Sequence, residues 1–133
     1  MAGHVAPLRS AARQELGPPA LRTALRIVDG WGLSPEEQMT LLGITSPSTF
    51  YKWKKEAPKK LSPDLLERIS YLFGIYKALH ILLPDPAFAD GWLRRPNGNA
   101  LFNGVPPLTR MLSGHVVDLY MVRRYMEGER GGW

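Results

Sequence analysis

Serine followed by proline occurs three times between residues 34 and 63, at Ser34-Pro35, Ser46-Pro47 and Ser62-Pro63. Each pair is a helix start. The serine hydroxyl accepts a hydrogen bond from a first-turn amide, and proline fits the first helical position, where no amide donor is needed and φ is already helical. Ser34-Pro35-Glu36-Glu37 is a full capping box, with Glu37 at the third helical position. The stops are equally clear: Gly43 follows Met39, Leu41 and Leu42, and Pro58 follows the lysine-rich segment after Ser46. A chain punctuated this closely is confined to short helices in its first half, and no alternating strand pattern occurs anywhere along it. The fold class expected is all-α.

The remaining elements follow from the same signals. Residues 1–17 hold Gly3, Pro7 and Gly17 with no sustained apolar period, and read as a flexible tail. Pro18-Pro19 starts a helix with Leu21, Leu25 and Val28 on one face, ending at Gly30-Trp31-Gly32. From Ser62, the residues Leu65, Ile69, Leu72, Tyr76, Leu79 and Leu83 recur at steps of three and four. Leu66, Phe73 and Ile75 widen that stripe over much of the circumference, which marks a central, buried helix ended by Pro84 and Pro86. A short helix near 86–94, another opened by Pro106-Pro107, and a last helix from His115 to about Glu127 complete the set. The organisation expected is a tail over 1–17, a helix-turn-helix region over 18–60, a central helix over 61–83 and a C-terminal lobe over 84–133.

Composition narrows the function classes. The chain lacks cysteine, which excludes disulfides, thiolate zinc sites and cysteine nucleophiles and fits a reducing cytoplasm. No apolar run reaches the roughly 18 residues a membrane span needs, and no secretory signal is evident. The three histidines, His4, His80 and His115, form no helical ligand pair, and no Asp/Glu cluster supplies a metal cage. Ser113 and His115 are near neighbours, but no nucleophile-elbow pattern surrounds them. Neither a phosphate loop nor a dinucleotide fingerprint is present. The reading is of a protein that is not an enzyme and carries no catalytic site, metal or cofactor.

Charge points elsewhere. Residues 1–60 hold nine Lys/Arg against five Asp/Glu, and residues 61–133 hold eight against seven. Lys52, Lys54, Lys55, Lys59 and Lys60 fall within nine positions, either as a solvated helix end or as a positive footprint for phosphates. Two short capped helices meeting at Gly43-Ile44-Thr45, with Ile44 plugging between them, match a helix-turn-helix. Its second helix would read DNA. Phe50 and Trp53 face inward, while Ser48, Thr49, Tyr51 and Lys52 face the bases and Lys54 and Lys55 meet phosphate. No arginine lies on that helix, which argues against strong sequence discrimination.

The segment from Gly91 to Leu108 is the most distinctive. Trp92-Leu93 is followed by Pro96-Asn97-Gly98, then by Leu101-Phe102, then by Gly104-Val105-Pro106 opening a new helix. This order of tryptophan-leucine, proline-asparagine and glycine-x-proline resembles the toxin-binding domain of the Xre–MbcA–ParS antitoxins. The resemblance runs from about Leu83 to the end and more loosely over the central helix. It implies a type II antitoxin that neutralises a RES-domain toxin, an enzyme that degrades NAD or transfers its ADP-ribose, by occluding the active site. It also implies binding to operator DNA for autorepression.

The chain end carries the rest of that reading. Gly128 should end the last helix and Gly131-Gly132 should free the backbone that follows. Carried over from the resemblance, Arg130 takes an anion or carboxylate subsite of the toxin and Trp133 a flat one, with Tyr120, Arg123, Arg124, Glu127, Gly131 and Gly132 completing the contact. Taken as residues alone, the tail is equally compatible with a frayed end. Apolar residues on several faces of the central and last helices predict a homodimer, and a hetero-oligomer with the toxin. Two other classes stay open on the sequence: a stand-alone repressor whose C-terminal half only dimerises, and a protein-interaction adaptor with a vestigial helical hairpin.

Overall fold

The computed structural model describes the backbone of residues 6–131 and the side chains of residues 17–129. Among these residues the secondary structure is helical throughout, in seven elements: α1 (Ala6–Gly30), α2 (Pro35–Leu42), α3 (Pro47–Lys55), α4 (Pro63–Leu82), α5 (Pro86–Trp92), α6 (Pro107–Met111) and α7 (Val116–Gly131). The all-α class is as expected.

The three Ser-Pro starts operate as anticipated. Ser34, Ser46 and Ser62 each cap a helix, accepting from the amides of Glu37, Thr49 and Leu65, with proline opening the first turn. The Ser34 capping box is reciprocal: the Glu37 carboxylate accepts from the Ser34 amide at 2.9 Å. The expected start of the first helix is corrected. α1 is helical from Ala6, the first described residue, with Pro18 and Pro19 inside it, and residues 1–5 of the anticipated tail lie outside the described residues. Ala, Arg, Gln, Glu and Leu dominate residues 6–16 and are strong helix formers. The two prolines remove two amide donors without forcing the element to start there.

α4 is the hub. Leu65, Ile69, Leu72, Ile75, Ala78 and Leu79 are buried along it, and it packs most extensively against α7, then against α1, α5 and α2. Leu21, Ala24, Leu25 and Val28 of α1, Trp31 just after it, and Leu119, Val122 and Met126 of α7 are buried with them in one core. Two glycines lie against arginine side chains. A Cβ on Gly74 would meet the Arg123 side chain, which lies across α4 at that position. Gly43 has φ +69 after α2, and a Cβ there would lie 2.8 Å from Arg68 Nε.

Arg68 ties the halves together. It is only 9% exposed. Its Nε donates to Asp64 at 2.9 Å, and its Nη2 donates across the fold to the Gly114 carbonyl at 3.1 Å. Arg94 makes a second tie, donating to the Gly32 carbonyl at 2.9 Å and lying 3.8 Å from the Glu37 carboxylate of the capping box.

Candidate functional site

The turn between α2 and α3 is built as its residues require. Ile44 is buried, and its amide donates to the Met39 carbonyl at 2.9 Å. Phe50 is fully buried and Trp53 packs partly against the core, which anchors α3 by one side. The opposite side is open: Ser48, Tyr51, Lys52 and Lys55 are exposed on one outward stripe. Ser48 Oγ lies 2.9 Å from the capping Ser46 Oγ, which fixes it at the head of that stripe.

Two of the six residues expected on this reading face sit differently. Thr49 is half-buried and lines a small cleft with Trp53, Ser62, Asp64 and Leu65, so it turns toward the start of α4. A position one residue from an exposed serine rotates about 100° around the helix, which carries it off the face. Lys54 lies on the flank toward α1, with Nζ 5.4 Å from the centre of the Phe50 ring. There it shares a groove of about 250 Å³ with Arg22, Leu25, Arg26 and Asp29 of α1. Sequence reasoning missed Arg22 and Arg26. Their spacing of four was visible, but the approach of α1 to α3 was not.

The C-terminal lobe presents α7. Its support is the distinctive segment read from the sequence. Leu93 and Phe102 are buried, and Trp92, Phe102 and Tyr125 form an aromatic cluster beneath the helix. The Trp92–Phe102 and Phe102–Tyr125 pairs meet edge-on at 6.0 and 5.3 Å, and Trp92 stacks on Tyr125 at 6.5 Å. Burial, with the charge of Glu129 second, raises the Tyr125 phenol pKa above its ordinary value. The turn is held by its own polar groups. Asn97 and Asn99 side chains accept from the amides of Asn99 and Leu101, the Gly104 amide donates to the Asn97 carbonyl, and the Leu108 amide donates to Leu93. Arg110 donates to the Leu101 carbonyl at 3.0 Å and pairs with Asp118 at the start of α7. Leu93, Phe102 and Leu108 of the motif are buried and support α7, while the turn residues Pro96, Gly98, Asn99 and Gly104 are exposed.

The contact residues expected on α7 divide. Tyr120 is exposed and meets Tyr71 edge-on at 5.7 Å. Arg124 is exposed. Arg123 is turned back onto α4: its Nε donates to Glu127 at 2.9 Å, its Nη1 reaches the Ser70 carbonyl and hydroxyl at 3.4 and 3.3 Å, and the guanidinium stands over the Tyr71 ring. Glu127 is thereby engaged with Arg123. The Tyr71 hydroxyl donates to Glu67 at 2.7 Å, and that bond, with burial second, raises the Tyr71 pKa. Two residues outside the expected set complete the outward face: Val117, 57% exposed, and Met121, 36% exposed, at a spacing of four. Both are apolar residues of the last helix, read from the sequence only as a sign of self-association.

The expected helix end at Gly128 is corrected. α7 continues to Gly131, and Gly128 is buried within it. A glycine inside a packed helix costs about 1 kcal/mol relative to alanine but does not break it. Gly131 is the last described residue of α7, and the side chain of Arg130 and residues Gly132 and Trp133 lie outside the described residues.

Among the described residues no group of three or more His, Cys, Asp or Glu is placed to hold a metal ion, and no helix is long and apolar enough to cross a membrane. His80 stands 3.7 Å from Asp90 in an open groove beside Trp31 and Tyr76, with no serine or cysteine among the lining residues.

Comparison with known proteins covers both surfaces. The family described as "Antitoxin Xre-like helix-turn-helix domain" matches residues 10–74, and that described as "Antitoxin Xre/MbcA/ParS C-terminal toxin-binding domain" matches residues 78–132. A Sinorhizobium fredii protein, "Uncharacterized protein y4oB", is 47% identical over 115 residues, which are 86% of this chain and 87% of that protein.

Proposed function

We propose that this chain, which belongs to the Xre/MbcA/ParS family of antitoxins, silences an NAD-consuming RES-domain toxin by covering its active site with α7 and the chain end. Its helix-turn-helix and toxin-binding domains are not catalytic families, so the protein acts by binding. The observation that carries the toxin-binding surface is the outward stripe of Val117, Tyr120, Met121 and Arg124 on a helix otherwise locked to α4. Apolar and aromatic side chains on a rigid element make good anchors, because little conformational freedom is lost when they are covered. Arg130 and Trp133 take an anion subsite and a flat subsite of the toxin, as the family resemblance implies.

The experiment is neutralisation by truncated and point variants, read as growth rescue and as NAD turnover by the co-expressed toxin. Deleting residues 130–133, which takes the last two described residues of α7 with the chain end, should abolish protection while the melting transition stays unchanged. Trp133→Ala alone should cost about 2 kcal/mol of toxin affinity, the size expected of a buried aromatic anchor. Full protection by the truncated chain would assign the blocking to the α7 stripe alone.

The same reading has α3 bind operator DNA through Ser48, Tyr51, Lys52 and Lys55, supported by their shared exposure on one stripe. It also has two copies associate. Ile81 on α4 and Phe88 on α5 remain exposed and apolar, which favours self-association. Light scattering of the isolated chain should give a dimer, and a monomer at tens of micromolar would remove that part of the proposal.

A further inference from the structure

We propose that the groove between α1 and α3, walled by Arg22 and Arg26 on one side and Lys54 on the other, seats a backbone phosphate of the DNA that α3 engages. The inference rests on the DNA-binding reading of α3 and extends the interface to a helix outside the helix-turn-helix pair. Arg22, Leu25, Arg26 and Asp29 recur at steps of three, one and three along α1, so they form one helical stripe, and Lys54 enters the same concavity from α3. Leu25 is buried and forms the floor, and Arg22, Arg26 and Lys54 are exposed around it.

Three cations line this concavity, and among the described residues none of them is paired with a carboxylate. Arg26 makes only a long contact, 3.5 Å, to its neighbour Thr23, and Lys54 rests against the Phe50 ring. The one acid present, Asp29, lines the groove without reaching ion-pair distance of any of the three. Like charges held this close repel, and an anion entering among them relieves the repulsion. Arginine offers a planar fork that matches phosphate oxygens, and lysine adds a point charge.

Geometry selects the DNA backbone as the source of that anion. An α-helix with its side chains is about 10–12 Å across, close to the roughly 12 Å width of the major groove. A helix lying there turns its outer face to the bases and its flanks to the sugar-phosphate walls. Ser48, Lys52 and Lys55 occupy the outer face of α3, and Lys54 occupies the flank toward α1. The wall that Lys54 meets therefore passes beneath Arg22 and Arg26.

The test is a salt titration of duplex binding by the full chain. It uses the duplex from upstream of its own gene and a mixed-sequence duplex, with melting curves confirming the fold of each variant. The double change Arg22→Gln and Arg26→Gln should lower the slope of log K against log salt by about one unit, since each phosphate neutralised contributes about 0.9, and should do so on both duplexes alike. Asp29→Asn should tighten binding by roughly twofold, the size of an exposed charge effect. Arg22→Lys with Arg26→Lys should restore most of the slope. A wild-type slope in the double glutamine variant, beside a reduced slope for Lys52→Ala with Lys55→Ala, would overturn the groove while leaving the α3 reading intact. An absence of salt-dependent duplex binding by the wild-type chain would overturn both. Weakened toxin binding with unchanged DNA binding would give the groove to a protein partner and likewise overturn the proposal.

Discussion

The two halves of this molecule use their positive charge in opposite ways. In the C-terminal half and the central helix, arginines are tied to the protein itself. Arg68 binds Asp64 and the Gly114 carbonyl, Arg94 the Gly32 carbonyl, Arg110 Asp118, Arg123 Glu127, and Arg95 covers the Phe88 ring at 4.1 Å while donating to the Phe88 carbonyl. In the N-terminal half, Arg22, Arg26, Lys52, Lys54 and Lys55 surround α3 with no carboxylate at ion-pair distance among the described residues. The formal excess of Lys and Arg over Asp and Glu, four in residues 1–60 and one in residues 61–133, therefore understates the contrast in available charge. A cation already bound inside the fold does little for a polyanion. A cation left in water attracts one.

Removing a tied arginine should damage the fold first. Arg68→Ala leaves Asp64 and the Gly114 carbonyl without their partner and opens space beside Gly43, and should cost about 2–3 kcal/mol, the range for hydrogen bonds to charged groups. Denaturant unfolding measures it. A destabilisation below about 0.5 kcal/mol, the size usual for surface changes, would break the contrast at its best-buried point.

The free cations should behave in reverse. Lys52→Ala with Lys55→Ala should leave stability within about 0.5 kcal/mol of wild type while weakening duplex binding and reducing its salt slope, because two cations leave the interface. Neutralisation of the toxin should persist. An unchanged slope would take these lysines out of the interface.

The packing of α4 on α7 offers a smaller test. Gly74→Ala sets a methyl group against Arg123, and overpacking of this kind costs about 1–3 kcal/mol, offset in part by the better helix propensity of alanine. The net destabilisation should be about 1 kcal/mol. Toxin affinity should fall with it, because Arg123 and the outer stripe share α7, and duplex affinity should not change.

How much of this was legible in the sequence depends on the distance over which each signal acts. The Ser-Pro starts and the Ser34–Glu37 capping box are local patterns realised where they were read, and the core stripe of α4 holds at Leu65, Ile69, Leu72 and Leu79, whereas Tyr76, read as part of it, is exposed and Ile75 is buried instead. The anchors Trp92, Leu93 and Phe102 were legible as apolar residues between turn formers, though their part in supporting α7 through Tyr125 was not. Helix ends were misjudged at Pro18 and Gly128, because residues that often terminate helices are tolerated within one when their neighbours favour it. The inward turn of Thr49, the retention of Arg123 on α4 and the meeting of Arg22 and Arg26 with Lys54 all depend on how separate helices pack. No local pattern carries that information.

A weaker effect should be seen at high pH. Tyr71 and Tyr125 both have pKa values raised above the ordinary 10.0, Tyr71 chiefly by its bond to Glu67 and Tyr125 chiefly by burial. Above the unfolded value the unfolded chain releases these protons while the folded chain keeps them, so stability should decline as pH rises past about 10. Tyr125→Phe should flatten that decline. An equally steep fall in the variant would remove Tyr125 from it.

The division of labour proposed for the halves is tested most directly by NAD turnover of the toxin proposed as partner, titrated with two variants of the full chain. Met121→Arg, which places a charge in the middle of the outer stripe of α7, should leave the toxin turning over NAD at antitoxin concentrations where wild type silences it. Lys52→Ala with Lys55→Ala should silence it as wild type does. Complete silencing by Met121→Arg, or failure of the lysine variant to silence, would contradict the assignment of toxin to α7 and nucleic acid to α3.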